Sequence, residues 1–278
     1  MKPRAFFGDF DSLACFAGYC ETTFEMECFV DREVRRMFND SNCAVMYGFL
    51  EHPEKKYNYR RQCAYTVPYK STRGSKPPLT EMAKRYMHKK YSFEWVTHRE
   101  AEDELCIRVQ QYGPEWAVAG AIDKDCYQHP FTFYNYKKHE MFTVSPLEGW
   151  YNFCVQMLIG DKTDDIKGLS GVKGAAGIGK KTAQTLLTPA QHSVDALTQV
   201  VAAQYAKAGR EWRYMQEMAT LLRIQLYDDE RWLFPVSEDD YYNQYNVVPR
   251  FEAKWASLDC FLGNSTEVAC NSPLDALQ

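Results

Sequence analysis

From Gly160 to Asp165 the chain reads Gly-Asp-Lys-Thr-Asp-Asp, then places Gly168, Gly171, Gly174, Gly177 and Gly179 ahead of Lys180-Lys181-Thr182. Glycines this closely spaced exclude a strand and mark a turn, here one that opens a basic helix. Three carboxylates, Asp161, Asp164 and Asp165, stand just upstream. An end suited to hard cations is thus covalently joined to an end suited to phosphate, a pairing that fits chemistry on a phosphodiester. Patterns are mainly helical from Pro146 onward, and residues 1–145 and 146–278 are expected to form two domains.

A chain of 278 residues can bury one large core, or one core and a smaller helical domain. Its net charge of −4 argues against a general nucleic-acid coat, because that kind of affinity comes from excess Lys and Arg. The distribution is more telling. Lys55 to Lys90 is strongly basic, while acid gathers at Glu100 to Asp103, Asp161 to Asp165 and Asp228 to Glu230. Such polarity suits an enzyme that grips an anion beside a metal cluster. The ten cysteines include no C-x-x-C pair and read as buried, reduced thiols. Met1 to Phe10 lacks the apolar core of a signal peptide, and no run approaches the ~18 apolar residues of a membrane span. The expectation is a cytoplasmic protein with no membrane contact.

In chain order, Arg4 to Phe10 predicts a first strand ending at Asp9 and Asp11, which would point the same way if the strand continued. The alternative is a turn in which Asp11 or Ser12 caps the next helix. Glu25 to Phe38 has helical spacing, Cys43 to Leu50 reads as a buried second strand, and Glu51 follows it. The segment His52 to Pro78 mixes Arg and Lys with Tyr57, Tyr59, Tyr65 and Tyr69, a composition able to pair with phosphates and stack on unpaired bases. Thr80 to Tyr91 predicts a helix and Phe93 to Val96 a short strand. Thr97-His98-Arg99-Glu100 reads as a capping box, so Glu100 has a structural role open to it, and Glu102 and Asp103 suit a helix amino terminus. Glu100 and Asp103 share a face, where like charge is costly without a cation. Trp116 to Ile122 is the clearest central strand, and it ends in Asp123-Lys124-Asp125, either an Asx turn or a second pair of ligands. Phe131 to Phe142 predicts a hairpin, Pro146 to Ile159 a helix, and Lys181 to Leu187, Ala190 to Ala206 and Glu211 to Leu226 further helices.

Gly174 to Lys181 comes within one residue of a nucleotide-cradling P-loop. Lys181 occupies the place of the magnesium-binding hydroxyl, however, and no apolar strand precedes Gly174. A P-loop NTPase is therefore the weaker reading. Glycines that let backbone N–H groups approach a phosphate suit a helix-hairpin-helix contact with duplex backbone.

The order of Asp9, Tyr69-Lys70-x-x-Arg73, Glu100-Ala101-Glu102-Asp103, Asp123-Lys124-Asp125, Gly160-Asp161-x-x-Asp164 and Gly177-Ile178-Gly179-Lys180-Lys181-Thr182-Ala183 resembles the flap endonuclease and 5′–3′ exonuclease family. The resemblance spans about two thirds of the chain and fades beyond Leu226. It implies a PIN-like (Rossmann-like) α/β fold, a mostly parallel sheet flanked by helices, with a basic arch at about residues 52–90. A helix–three-turn–helix DNA-binding domain and carboxy-terminal helices would follow. It implies two divalent ions, Mg²⁺ or Mn²⁺, held by Asp9, Glu100, Glu102, Asp103, Asp123, Asp125, Asp161 and Asp164. Glu51 stands in for a family aspartate that is missing here. Lys70 and Arg73 would act on the scissile phosphate. Tyr69, Lys70, Arg73 and Arg61 would grip DNA, and Gly177, Gly179, Lys180 and Lys181, with a potassium ion, would contact duplex backbone. The usual Glu-Ala-Asp-Asp is Glu-Ala-Glu-Asp here, and Ser170 to Ala176 looks inserted. The implied protein is a monomeric 5′ nuclease of DNA ends, flaps or duplex–single-strand junctions in replication, repair or recombination, bacterial or phage-encoded. A non-catalytic DNA-binding protein of the same fold is the alternative.

Overall fold

The computed structural model describes residues 2–54, 58–170, 178–228, 230, 232–245 and 247. Along them run β1 (Ala5–Asp9), α1 (Asp11–Ala17), α2 (Thr23–Ser41), β2 (Val45–Glu51), α3 (Tyr59–Cys63), α4 (Thr80–Tyr91), β3 (Glu94–Val96) and α5 (Ala101–Tyr112). Then come β4 (Ala117–Gly120), β5 (Thr132–Asn135), β6 (Glu140–Thr143), α6 (Pro146–Ile159), α7 (Lys180–Leu187), α8 (Val194–Lys207), α9 (Trp212–Leu222) and α10 (Glu238–Tyr245). Two compact units result. The first comprises the residues up to Tyr59, Gly74–Ser145 and Ile224–Glu230; the second comprises Arg60–Arg73, Pro146–Arg223 and the described residues from 232 onward. A single cut after residue 145 therefore misses two excursions, Arg60–Arg73 and Ile224–Glu230.

In the first unit a six-stranded sheet has the order β3-β2-β1-β4-β5-β6, parallel except for β6. Every residue of β1 is buried, as expected of a parallel strand covered on both faces. Successive side chains alternate between the two layers. Ala5, Phe7, Phe49, Ala117, Ala119 and Phe133 pack with Leu105, Cys106 and Val109 of α5. Phe6, Leu50, Val118 and Tyr134 face the other way, towards α1, α2 and α4.

Several boundaries differ from the sequence pattern for local reasons. α2 begins earlier because Thr22 and Glu25 form a reciprocal capping box. The box expected at Thr97 instead lies one turn on, with Glu100 as cap and Asp103 as its partner. β3 holds the backbone extended as far as Val96, whose carbonyl accepts from His52 N, so the helix starts only after Glu100. β4 is shorter than its apolar run because Trp116 belongs to a 3-10 turn and the pairing with β1 ends at Gly8 and Gly120. The eight described cysteines are all free thiols, five of them buried. Among the described residues no helix is long and apolar enough to cross a membrane.

The second unit is helical, with α6 packed on α7, α8 and α9. Trp150, Phe153, Trp232 and Phe234 form an aromatic knot against α6. The sequence pattern carries α9 to Leu226, but the helix stops at Leu222. Arg60, only 1% exposed, donates to the carbonyls of Leu221 (3.0 Å) and Arg223 (2.7 Å), occupying acceptors that the helix end leaves open. The loop after α6 closes on itself, with Asp161 and Ile166 exchanging backbone hydrogen bonds of 2.9 and 2.8 Å. Gly160 (φ +71°) and Gly168 (φ +53°) sit back to back beneath it. A Cβ on Gly160 would lie 2.2 Å from the Ile166 carbonyl oxygen, and one on Gly168 would lie 2.3 Å from Gly160 N. Gly168→Ala should therefore lower the unfolding free energy in urea by about 2 kcal/mol or more. Gly74→Ala, with open space around it, should stay within about 0.5 kcal/mol of the wild type.

Candidate active site

Parallel strands deliver their carboxyl ends to one edge of the sheet. The chain builds β1, β2 and β3 on one side and then returns to β4 on the other side of β1, which makes the β1/β4 boundary the topological switch point where ligands bind in such folds. Acidic residues occupy this edge. Asp9 ends β1, Glu51 ends β2, and Asp123 lies just past β4. Asp9 is 8% exposed. Burial, then the charges of Asp11, Glu51 and Asp123, push its carboxyl up to about 8 against the help of the Asp11 backbone N–H. Four carboxylates from three strand ends thus share one field. Among the described residues no three His, Cys, Asp or Glu side chains close on a common point; burial and neighbouring charge show instead in the raised Asp9 carboxyl. The donors are all oxygens, which suits hard cations.

Asp9 and Asp11 do not point the same way along a continuing strand, because the strand stops at Asp9. Asp9 Oδ1 accepts from Asp11 N at 2.9 Å and Asp11 opens α1. One Asp11 oxygen accepts from Glu51 N at 2.9 Å and the other from Lys84 Nζ at 2.7 Å. Lys84 also donates to the Glu51 carbonyl at 3.1 Å, and its side chain is 0% exposed. Sequence reasoning counted Lys84 only among the basic residues of its segment. The available signal was helical spacing: Thr80, Ala83, Lys84 and Met87 make up the buried face of α4.

The Glu100–Asp103 group divides. Asp103 is 0% exposed, with one oxygen accepting from Glu100 N (3.3 Å) and the other from Gln225 N (3.0 Å). It is both a helix cap and a clamp on the segment after α9, with Gln128 and His129 bonding Ile224 beside it. Glu100 accepts from Asn58 at 3.0 Å, and Glu102 is half-buried on the first turn of α5. Asp123 is exposed and caps the turn Lys124–Gln128 by accepting from Asp125 N at 3.0 Å. The Asx turn foreseen as an alternative at this position is therefore present.

In the second unit the acidic loop and the Tyr-Lys-x-x-Arg motif are tied together. Asp164 accepts from Tyr69 Oη (2.8 Å) and Arg73 Nη2 (3.0 Å), with Lys70 Nζ at 3.3 Å. Its own carbonyl accepts from Lys70 N at 3.0 Å, a bond made with Lys70 in the left-handed region at φ +53°. Asp165 accepts from Ser71 Oγ, Thr72 N and Thr72 Oγ1, which hold its carboxyl below the usual range. Asp161 Oδ1 accepts from Thr163 N and Asp164 N within the loop. Within the basic segment expected to form an arch at about residues 52–90, Arg60 to Arg73 is a strap fastened at Arg60, Thr66–Glu217, Asp164 and Asp165. Tyr69, expected to offer a stacking face, is 5% exposed. Arg61, Lys180 and Lys181 are exposed, the latter two at the start of α7 with Gly179 as its cap. Gly177, most of the inserted-looking segment and the turn that would contact duplex backbone lie outside the described residues, as do Lys55, Lys56 and Tyr57.

No protein-family model matches the chain, and no curated protein does. The crystal structure of bacteriophage T5 D15 protein co-crystallised with metal ions aligns with a TM-score of 0.54 and 13% identity over 79% of this chain and 89% of that one. The chain shares that fold. T5 5′-exonuclease with bound zinc gives 0.49 at 12% identity, covering 80% of this chain and 99% of that one. A T5 flap endonuclease complex with DNA and metal ions gives 0.47 at 11%, covering 79% and 96%. The fold expected from the motif order is the one observed, a six-stranded, mostly parallel sheet between helices.

Two consequences can be measured. At pH below about 4 both the folded and unfolded forms of Asp9 carry the proton, whereas between about 4 and about 8 only the folded form does. Raising the pH through that window removes stability, by at most about 1.4 kcal/mol per unit. Melting temperatures in EDTA should fall over this range more steeply for the wild type than for Asp9→Asn. In the second unit, Asp164→Ala strips Tyr69, Lys70 and Arg73 of a common partner, and urea unfolding should show a loss of about 2–3 kcal/mol, discounted for the half-exposed Arg73.

Proposed function

We propose that the protein is a divalent-metal-dependent 5′ nuclease acting on DNA near a 5′ end, flap or duplex–single-strand junction. The observation that carries this reading is the carboxylate field at the carboxyl ends of β1, β2 and β4, at the switch point of the sheet. Asp9, Glu51 and Asp123, with Asp125, Glu100 and Glu102 as further oxygen donors, would hold the ions. Mg²⁺ or Mn²⁺ fits a donor set without His or Cys, and an ion there would offset the burial and like charge that raise the Asp9 carboxyl. When bound, such ions supply a polarised phosphoryl oxygen and an activated water. Asp103, which also caps α5 and accepts from Gln225 N, would join these donors through the second lone pair of each oxygen.

The remaining roles belong to cations of the chain. Arg73 has a half-exposed side chain and Lys70 an 11% exposed one, both now facing Asp164. A phosphate oxygen is a like-charged substitute for that carboxylate, so strand binding amounts to an exchange of anions at Arg73 first and Lys70 second. Arg61 and the amino terminus of α7, with Lys180 and Lys181, supply sequence-independent backbone contacts.

A 5′-labelled flap DNA incubated with the protein should be cut in Mg²⁺ and left intact in EDTA. Asp123→Ala should reduce the rate on the order of a hundredfold or more while leaving DNA affinity in EDTA within about threefold. Equal inertness of wild type and variant, with DNA still bound, would establish a non-catalytic DNA-binding protein of the same fold.

A further inference from the structure

A lysine buried to 0% exposure beside a carboxylate cluster is unusual enough to need a reason, since burial disfavours its charged form unless partners compensate. Its partners are fully specified. Lys84 Nζ bonds Asp11 Oδ2 at 2.7 Å and the Glu51 carbonyl at 3.1 Å, while Asp11 Oδ1 bonds Glu51 N at 2.9 Å. The three residues come from α4, α1 and the end of β2, and they close a ring around the last peptide of that strand. Among the described residues Lys76, paired with Glu81 at 3.2 Å, also acts on Asp11 and Glu51. It is half-exposed, so it cannot fix a geometry as Lys84 does.

We infer that Lys84 is the built-in cation of the carboxylate cluster, a positioning residue that holds Asp11 as its private counter-ion and leaves Asp9, Glu51 and Asp123 to bind divalent ions. This rests on the reading of the cluster as a metal site. Asp11, although the acidic residue nearest Asp9 in sequence, is then not a ligand. Both of its oxygens serve the ring, and its position sets where β2 delivers Glu51. The cluster carries its negative charge in two portions, one paired with Lys84 within the fold and one left for exchangeable cations.

This division predicts changes of opposite sign. Removing only the lysine charge, in Lys84→Met, releases Asp11 into the field and should tighten Mn²⁺ binding at about pH 8 by roughly tenfold. Removing only the carboxylate charge, in Asp11→Asn, leaves Lys84 as an uncompensated cation and should weaken binding by a similar factor. The double variant Asp11→Asn/Lys84→Met removes a neutral pair and should return to within about threefold of the wild type. Isothermal titration with Mn²⁺ reads these affinities without DNA or turnover, and thermal melts in EDTA identify any single variant that has failed to fold. The double variant, free of a buried lone charge, then still decides the matter. Binding as weak in the double variant as in Asp11→Asn would make Asp11 a ligand and overturn the inference. So would a change of the same sign in both single variants, which is what a purely structural pair would give. Failure of the wild type to bind Mn²⁺ at all would instead defeat the nuclease reading, and this inference with it.

Discussion

Charge compensation inside the fold is the constraint on which this structure depends. A parallel sheet gathers the carboxyl ends of its strands at one edge, and here those ends carry Asp9, Glu51 and Asp123 with Asp11 close behind. In a half-buried setting such a group cannot remain fully ionised unaided, because each carboxylate raises the cost of the next. The first unit answers with one fully buried ammonium, Lys84, and with a proton on Asp9. The second unit solves the converse problem. It holds two cations of a single motif, Lys70 and Arg73, by turning one carboxylate, Asp164, towards both.

These two arrangements separate what was legible in the sequence from what was not. β1, β2 and β4 were legible because fully buried parallel strands read as short apolar runs, and α4 and α6 because their apolar spacing is helical. The acids at the strand ends were legible for the same reason: once the strands are placed, their carboxyl ends follow. Partners distant in sequence were not legible. Nothing in the local pattern marks Arg60 as the cap of α9, Asp103 as the clamp on Gln225, or Asp164 as the partner of Tyr69, because each depends on where another segment lies. Lys84 is intermediate. Its position on the apolar face of α4 was visible, but its meaning required Asp11 and Glu51.

The Glu-Ala-Glu-Asp motif shows how one short run divides its labour. Glu100 is the cap and closes a reciprocal box with Asp103 three residues on, whereas Glu102 lies off that face on the first turn. Glu100 caps and meets Asn58, Asp103 points inward to two backbone amides, and Glu102 is left half-buried. The order of motifs along the chain therefore tells more about the fold than any one of them tells about the role of its residues. A motif fixes residue types and spacing, but the helix on which it falls decides which side chains reach a site.

The same compensation shows why an overall charge of −4 does not weigh against the proposed contact with DNA. Affinity for phosphate depends on cations that can be reached, not on the sum over the chain. Within Arg60–Arg73, Arg60 is spent on helix carbonyls and Lys70 is largely covered, whereas Arg61 and half of Arg73 face solvent. Acid supplied in the same unit by Asp164 and Asp165 holds this strap in shape. That acid cancels basic charge in the composition without removing the basic surface. Cations kept ordered without a bound anion need internal anions to hold them, so a near-neutral balance is consistent with such a surface.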